Sequence, residues 1–116
     1  MKKIFAILTI LLISSNLSIA QSVEPTFEKE NDLVKATYFY DNGMVKEVGF
    51  FKEDKLHDKW VSYDQEGKIS IVAQYENGLK DGQWFIVEED HVKQLTYQDN
   101  KLIKVEELEG TEVSFL

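Results

Sequence analysis

The feature that most constrains this chain is an internal repeat. Placing "FKEDKLHDKWVSYDQEG" (51–67) over "YENGLKDGQWFIVEED" (75–90) aligns Phe51 with Tyr75 and Trp60 with Trp84, each pair 24 residues apart. The stretch before it matches at the same offset: Gly43 with Gly67, Val45 with Ile69, and Gly49 with Ala73. A degenerate third copy runs from His91 through "VKQLTYQDNKL", where Tyr97-Gln98-Asp99-Asn100 echoes Tyr75-Glu76-Asn77-Gly78 at a spacing of 22. A fixed period of this length implies one supersecondary unit stacked on the next, with an atypical last copy closing the array.

The unit is β. From Val34 onward, short stretches rich in β-branched and aromatic residues alternate with turn pairs at Asp41-Asn42-Gly43, Glu66-Gly67, Asn77-Gly78, Asp81-Gly82 and Asp99-Asn100. That punctuation predicts an antiparallel meander of seven or eight short strands. In "KISIVAQY" (68–75), alternation puts Ile69, Ile71, Ala73 and Tyr75 on one face. In the matching stretch the same face carries Val45, Glu47, Gly49 and Phe51. The aligned small residues, Gly49 and Ala73, leave room for a ring from a neighbouring strand, and Trp60 and Trp84 are the rings to fill it.

Around this domain, assigned to residues 34–116, lie two further segments. Residues 1–20, "MKKIFAILTILLISSNLSIA", have the basic start, the ten-residue apolar run and the small-residue end of a secretory signal peptide cleaved after Ala20. The run is too short to span a bilayer, which takes about 20 apolar residues. A secreted or periplasmic protein with no membrane insertion after cleavage is expected. Residues 21–33, which hold the only proline, read as a polar lead-in, partly disordered.

Charge narrows the partner. Loss of residues 1–20 removes two of the thirteen lysines and none of the twenty-one acids, taking the formal charge from −8 to −10. There is no arginine, so the planar fork that clamps phosphates is missing, and nucleic acid is not an expected partner. There is no cysteine either, so an exported domain of this size must hold by packing alone.

The turn Asn-Gly, a few polar residues, then "DGQW" and an aromatic-rich strand resembles the second class of MORN repeats, and in particular the bacterial YwqK-type antitoxin family. The residues that carry the likeness are Tyr40, Asn42 and Gly43; Leu56, Lys59, Trp60, Tyr63 and Gly67; and Tyr75, Asn77, Gly78, Gly82, Trp84 and Phe85. It covers roughly residues 38–102. The resemblance implies an all-β fold, an elongated, twisted antiparallel meander of repeated hairpins in a single sheet. It makes Gly43, Trp60, Gly67, Tyr75, Gly78, Gly82 and Trp84 structural repeat positions and transfers no catalytic residue. Asp54 and Asp58 stand where the second copy has Gly78 and Gly82, so the first copy's turn is expected to be built differently.

Candidate chemistry is sparse. His57, before Asp58, has the form of a general base oriented by an acid, but a solvated turn histidine accounts for it. His91 after Glu88-Glu89-Asp90 could belong to a carboxylate–imidazole metal site, yet an exposed acidic turn explains the same residues. The oxygen-rich turns at 41–43 and 64–67 lack the alternating acids and closing glutamate of a calcium loop. Family labels supply one enzymatic alternative, nicotinate mononucleotide adenylyltransferase, but neither histidine sits in an HxGH motif. No catalytic, cofactor-binding or metal-binding residues are assigned.

The aromatic residues are expected to be mainly core, with a glycan- or peptide-binding aromatic sheet as the alternative. Phe50 and Phe51 are adjacent, as are Trp84 and Phe85, so each pair must point to opposite faces. A single sheet cannot bury both. An exposed surface including Phe50, Phe51, Tyr63 and Phe85 is therefore expected to recruit a protein partner or a second copy, as an antitoxin or immunity-like protein or an envelope scaffold would.

Overall fold

A computed structural model describes residues 23–109. The expected signal peptide lies outside these residues, as do positions 21–22 and 110–116. The strands are β1 (Thr26–Glu30), β2 (Leu33–Phe39), β3 (Val45–Lys52), β4 (Lys55–Tyr63), β5 (Ile69–Glu76), β6 (Leu79–Lys80), β7 (Gly82–Val87), β8 (Val92–Gln98) and β9 (Lys101–Leu108). They form one open antiparallel sheet in the order β1-β2-β3-β4-β5-β7-β8-β9, with β6 also pairing to β5. Apart from β6 and β7, which share one arm beside β5, each strand lies beside its chain neighbour, so the fold is the meander expected from the repeat. At about 4.8 Å per strand, the sheet is roughly 34 Å wide. The segment read as a polar lead-in is not wholly irregular. Its residues Thr26–Glu30 form β1, whose register with β2 runs from Thr26 opposite Thr37 to Glu30 opposite Leu33.

The sheet has two unlike sets of turns. At one end sit two-residue tips in which both residues have positive φ: Glu53-Asp54 (48° and 65°), Asn77-Gly78 (50° and 87°) and Asp99-Asn100 (48° and 70°). This is the type I′ geometry, whose twist matches that of paired strands. The first copy therefore does not build its turn differently. Its backbone enters the left-handed region without glycine, which an aspartate tolerates better than most residues. Asp58 does the same at φ 64°, where Gly82 has 93°. Nor is Asp81-Gly82 a reversal. It is a break within one hairpin arm, separating β6 from β7, with the Asp81 amide donating to the Gln74 carbonyl at 3.1 Å. At the opposite end, Gly43 and Gly67 close longer turns by donating to the carbonyls of Tyr40 and Asp64 at 2.9 and 3.0 Å, again 24 residues apart.

Bulges repeat as well. The register steps from Tyr38 opposite Glu47 to Phe39 opposite Val45, and from Ser62 opposite Ile71 to Tyr63 opposite Ile69. Lys46 and Ser70 are thus the extra residues, and each reverses the alternation of the strand before it. This corrects the simple face assignment. Ile69 packs not with Ile71, Ala73 and Tyr75 but with Val72 on the other side, and the step at Lys46 separates Val45 from Glu47, Gly49 and Phe51 in the same way.

The result is a thin core on each face. The Trp face holds Ala36, Trp60, Ala73 and Trp84, flanked by Tyr38, Phe51, Leu56, Ile71, Tyr75, Leu95 and Tyr97. The Val face holds Val72, Phe85 and Val92, flanked by Val61, Ile69, Val87 and Leu108. Among the described residues no polar side chain is buried, as befits a sheet one layer thick.

Candidate interaction faces

The Trp face is organised around the small sites. Gly49 lies opposite Ala36, and a Cβ built on it would overlap the Trp60 indole. Only glycine permits this approach. Trp60 in turn lies opposite Ala73, and Trp84 opposite Leu95. Each indole is fixed by its Nε1–H, which donates at 2.9 Å from Trp60 to the Phe50 carbonyl and from Trp84 to the Gln74 carbonyl, positions again 24 apart. The row that starts at Phe27 opposite Ala36 ends at Leu95 opposite Val105. In the degenerate copy, an aliphatic pair replaces the small site and its tryptophan.

Around the indoles runs a line of ring contacts. Phe27 meets Tyr38 edge-on at 6.2 Å, Tyr38 stacks on Trp60 at 6.4 Å, and Phe51 meets Trp60 edge-on at 5.1 Å. Tyr75 bridges Trp60 and Trp84 at 6.5 and 5.2 Å, and Tyr97 follows at 5.2 Å from Trp84. The Lys80 ammonium lies 5.0 Å from the Trp84 ring centre and 5.2 Å from that of Tyr97. Its counterpart one repeat earlier, Leu56, packs against the Trp60 cluster. Trp60 and Trp84 are consequently 4% and 9% exposed, without the open ring face that sugar stacking needs. Burial first, and then the Glu47 carboxylate, hold the Tyr75 hydroxyl above its ordinary pKa, so it stays neutral.

Both faces carry a groove. On the Trp face one is lined by Phe27, Val34, Tyr38 and Phe51. On the Val face, between β4, β5 and β7, a shallow groove is lined by Val61, Tyr63, Ile69, Val72 and Phe85, with Lys59, Gln74 and Gln83 at one end. Tyr63 and Phe85, both expected at an interaction surface, thus meet here. Phe50 shares this face by register, lying opposite Lys35 and His57, and is partly exposed. Phe51 does not join them; it packs on Trp60 on the opposite side. Phe85 is only 7% exposed and forms the floor of the groove.

The two histidines occupy opposite ends of the sheet and cannot act together. His57 accepts a hydrogen bond at Nδ1 from the Asn77 amide at 3.1 Å, bracing the next tip turn, while the Gly78 amide donates to the Leu56 carbonyl at 2.7 Å. The following copy repeats this brace. The Asp99 amide reaches Asp81 Oδ1 at 3.4 Å, and the Asn100 amide reaches the Lys80 carbonyl at 2.9 Å. His91 sits at the other end, with Nδ1 2.7 Å from Asp90 and Nε2 2.9 Å from Glu88. The hydrogen bond to Asp90 raises the imidazole pKa, the carboxylates of Glu88 and Asp90 adding to it, and the same bond lowers that of Asp90. Among the described residues no group of three or more acidic, histidine or cysteine side chains is placed to hold a metal ion.

No protein-family model matches the chain, and comparison with curated proteins and with solved structures gives no match either.

Proposed function

We propose that this chain is an exported, non-catalytic β-repeat module of the second MORN class that works by protein–protein contact, as an antitoxin-like or immunity-like protein or as an envelope scaffold. The observation that carries the reading is the two-sided sheet. The Trp face packs its tryptophans away and keeps an apolar groove at Phe27, Val34, Tyr38 and Phe51, and the Val face has a second between Tyr63, Ile69 and Phe85. Grooves of this kind, open and rimmed by polar side chains, suit an apolar anchor from a partner better than a small reacting molecule. The strongly acidic composition favours a basic partner, through faster encounter and discrimination more than through raw affinity.

The test is affinity capture with the tagged chain lacking residues 1–20, followed by titration of the captured partner in purified form. Tyr63→Ala is expected to weaken binding about tenfold, the effect of trimming one aromatic anchor, with the circular dichroism unchanged. A competing reading, transfer of an adenylyl group to nicotinate mononucleotide, is checked with ATP and magnesium. Dinucleotide formed at enzymatic rates would sink the binding-module reading. The glycan reading is checked by tryptophan fluorescence across a glycan panel, where flat traces are expected.

A further inference from the structure

The two edges of the sheet differ. β1 is five residues long, follows Pro25 and carries Glu28, Lys29 and Glu30. β9 is eight residues long, pairs only with β8 among the described residues, and holds the most exposed aliphatic side chains there: Leu102, Ile103 and Val105, at 51, 59 and 54%. A long apolar edge with unpaired backbone is a template for another strand. Its charges are not spread evenly. Lysines occupy its start (Lys101, Lys104) and glutamates its end (Glu106, Glu107), and Lys104 and Glu106 share a face, where their side chains meet at 2.7 Å.

We infer that β9 pairs antiparallel with β9 of a second copy about a two-fold axis through Val105, giving a weak, closed dimer with one continuous sheet. In this register Val105 faces its own symmetry mate and each Lys104 faces a Glu106, while Ile103, the bulge residue left between the Thr96–Lys104 and Tyr97–Leu102 pairs, bounds the regular pairing on each side. Opposite charges directly across a strand pair are favourable, and like charges are not. The same lysines that would repel an arbitrary strand therefore select this one. The pairing joins the Trp-face row of one copy, which ends uncovered at Val105, to the row of the other. Pairing of β9 with β1 of another copy would use at most the five positions that follow Pro25, which has no N–H, would match fewer charges, and would leave an open chain of molecules where two-fold pairing closes.

The pairing stands on the β9 edge alone. A monomeric chain that still captured a protein partner would overturn it and leave the binding-module reading intact. The experiment is sedimentation of the purified chain from about 1 μM to 1 mM, a range suited to an interface below standard size. A concentration-dependent monomer–dimer equilibrium is expected; a monomer throughout, or growth past the dimer, overturns the proposal. Lys104→Glu or Glu106→Lys alone should weaken the dimer about tenfold or more, and the two together should restore it. β9–β1 pairing predicts no such rescue. Because the chain has no cysteine, Val105→Cys gives a clean geometric check. Antiparallel neighbours lie about 4.5–5.5 Å apart at Cα, within disulfide range, so the oxidised variant should cross-link to a covalent dimer. Ile103→Cys, offset from its own mate, should not; equal cross-linking of the two would contradict the register.

Discussion

At Gly49, one hydrogen atom in place of a methyl group decides whether Trp60 can lie flat against β3. A Cβ there would overlap the indole, whose Nε1 is held by the Phe50 carbonyl. Gly49→Ala is therefore expected to cost about 2–3 kcal/mol by overpacking, seen as a lower urea midpoint with an unchanged slope. Combined with Trp60→Ala, the two losses should fall short of their sum by at least about 1 kcal/mol, because the second change removes the clash that the first creates. This contact was legible in the sequence, since two small residues and two tryptophans recurred at one period. The backbone of the first tip turn was not. Asp54 reads as a departure from Gly78, yet it takes φ 65° where the glycine takes 87°. The turn is imposed by the strand register on either side, and residue type adjusts only its cost. Asp54→Gly should thus raise stability by about 0.5 kcal/mol, relieving a left-handed residue without altering the turn. A neutral or negative change in midpoint would show that the aspartate makes a compensating contact.

Among the elements, the hairpins are tied by their turns as well as by their ladders. His57 and Asp81 occupy equivalent positions, and each accepts an amide from the tip turn of the next hairpin. His57→Asp should then keep most of the stability that His57→Ala loses, a loss of about 0.5–1 kcal/mol for one exposed hydrogen bond, by denaturant midpoint. The type of residue suggested a base; the repeat position, an acceptor in both copies, is the better guide. The turn between β7 and β8 has a different device. The hydrogen bond to Asp90 and the carboxylates of Glu88, Asp90 and Glu107 set the folded pKa of His91 above the ordinary histidine value. The sign follows directly. The folded state binds the proton more tightly, so this contribution is complete below the ordinary histidine pKa and disappears as the pH rises through the folded one. An NMR titration of His91 should show the raised value, and Asp90→Asn should bring it down. Strand boundaries were harder to see than strands. Asp81-Gly82 has the composition of a reversal and proves to be a kink in one arm. Lys46 and Ser70, which carry no bulge signature, flip the residues before them to the other face. The rows of cross-strand partners, which no local window contains, determine both.

Among the described residues, each strand makes its extensive contacts with the strands beside it, so stability should behave as a sum of repeat and interface terms. The meander itself is readable from the period, but the apolar core of the Val face is not, because Val72, Phe85 and Val92 gather there from three strands. The groove beside them depends on register between strands that are up to two hairpins apart. This architecture makes deletion of one complete period a sharp test. Removing residues 53–76 joins Lys52 to Asn77, so the Asn77-Gly78 tip replaces Glu53-Asp54. β3 then meets the arm that carries Trp84. At the 24-residue offset, Gly49 replaces Ala73 beneath Trp84, and the Phe50 carbonyl replaces that of Gln74 as the acceptor for the indole. The shortened chain should fold into a sheet with two fewer columns. Its β circular dichroism should persist, its Trp84 emission should stay blue-shifted as for a buried indole, and its urea slope should fall by about a quarter, in line with the surface removed. Deleting 23 residues from the same place should instead unfold it, since a one-residue slip sends every side chain beyond the junction to the opposite face. If the two deletions behaved alike, the period would be a trace of the sequence's origin and not the unit that holds the sheet together.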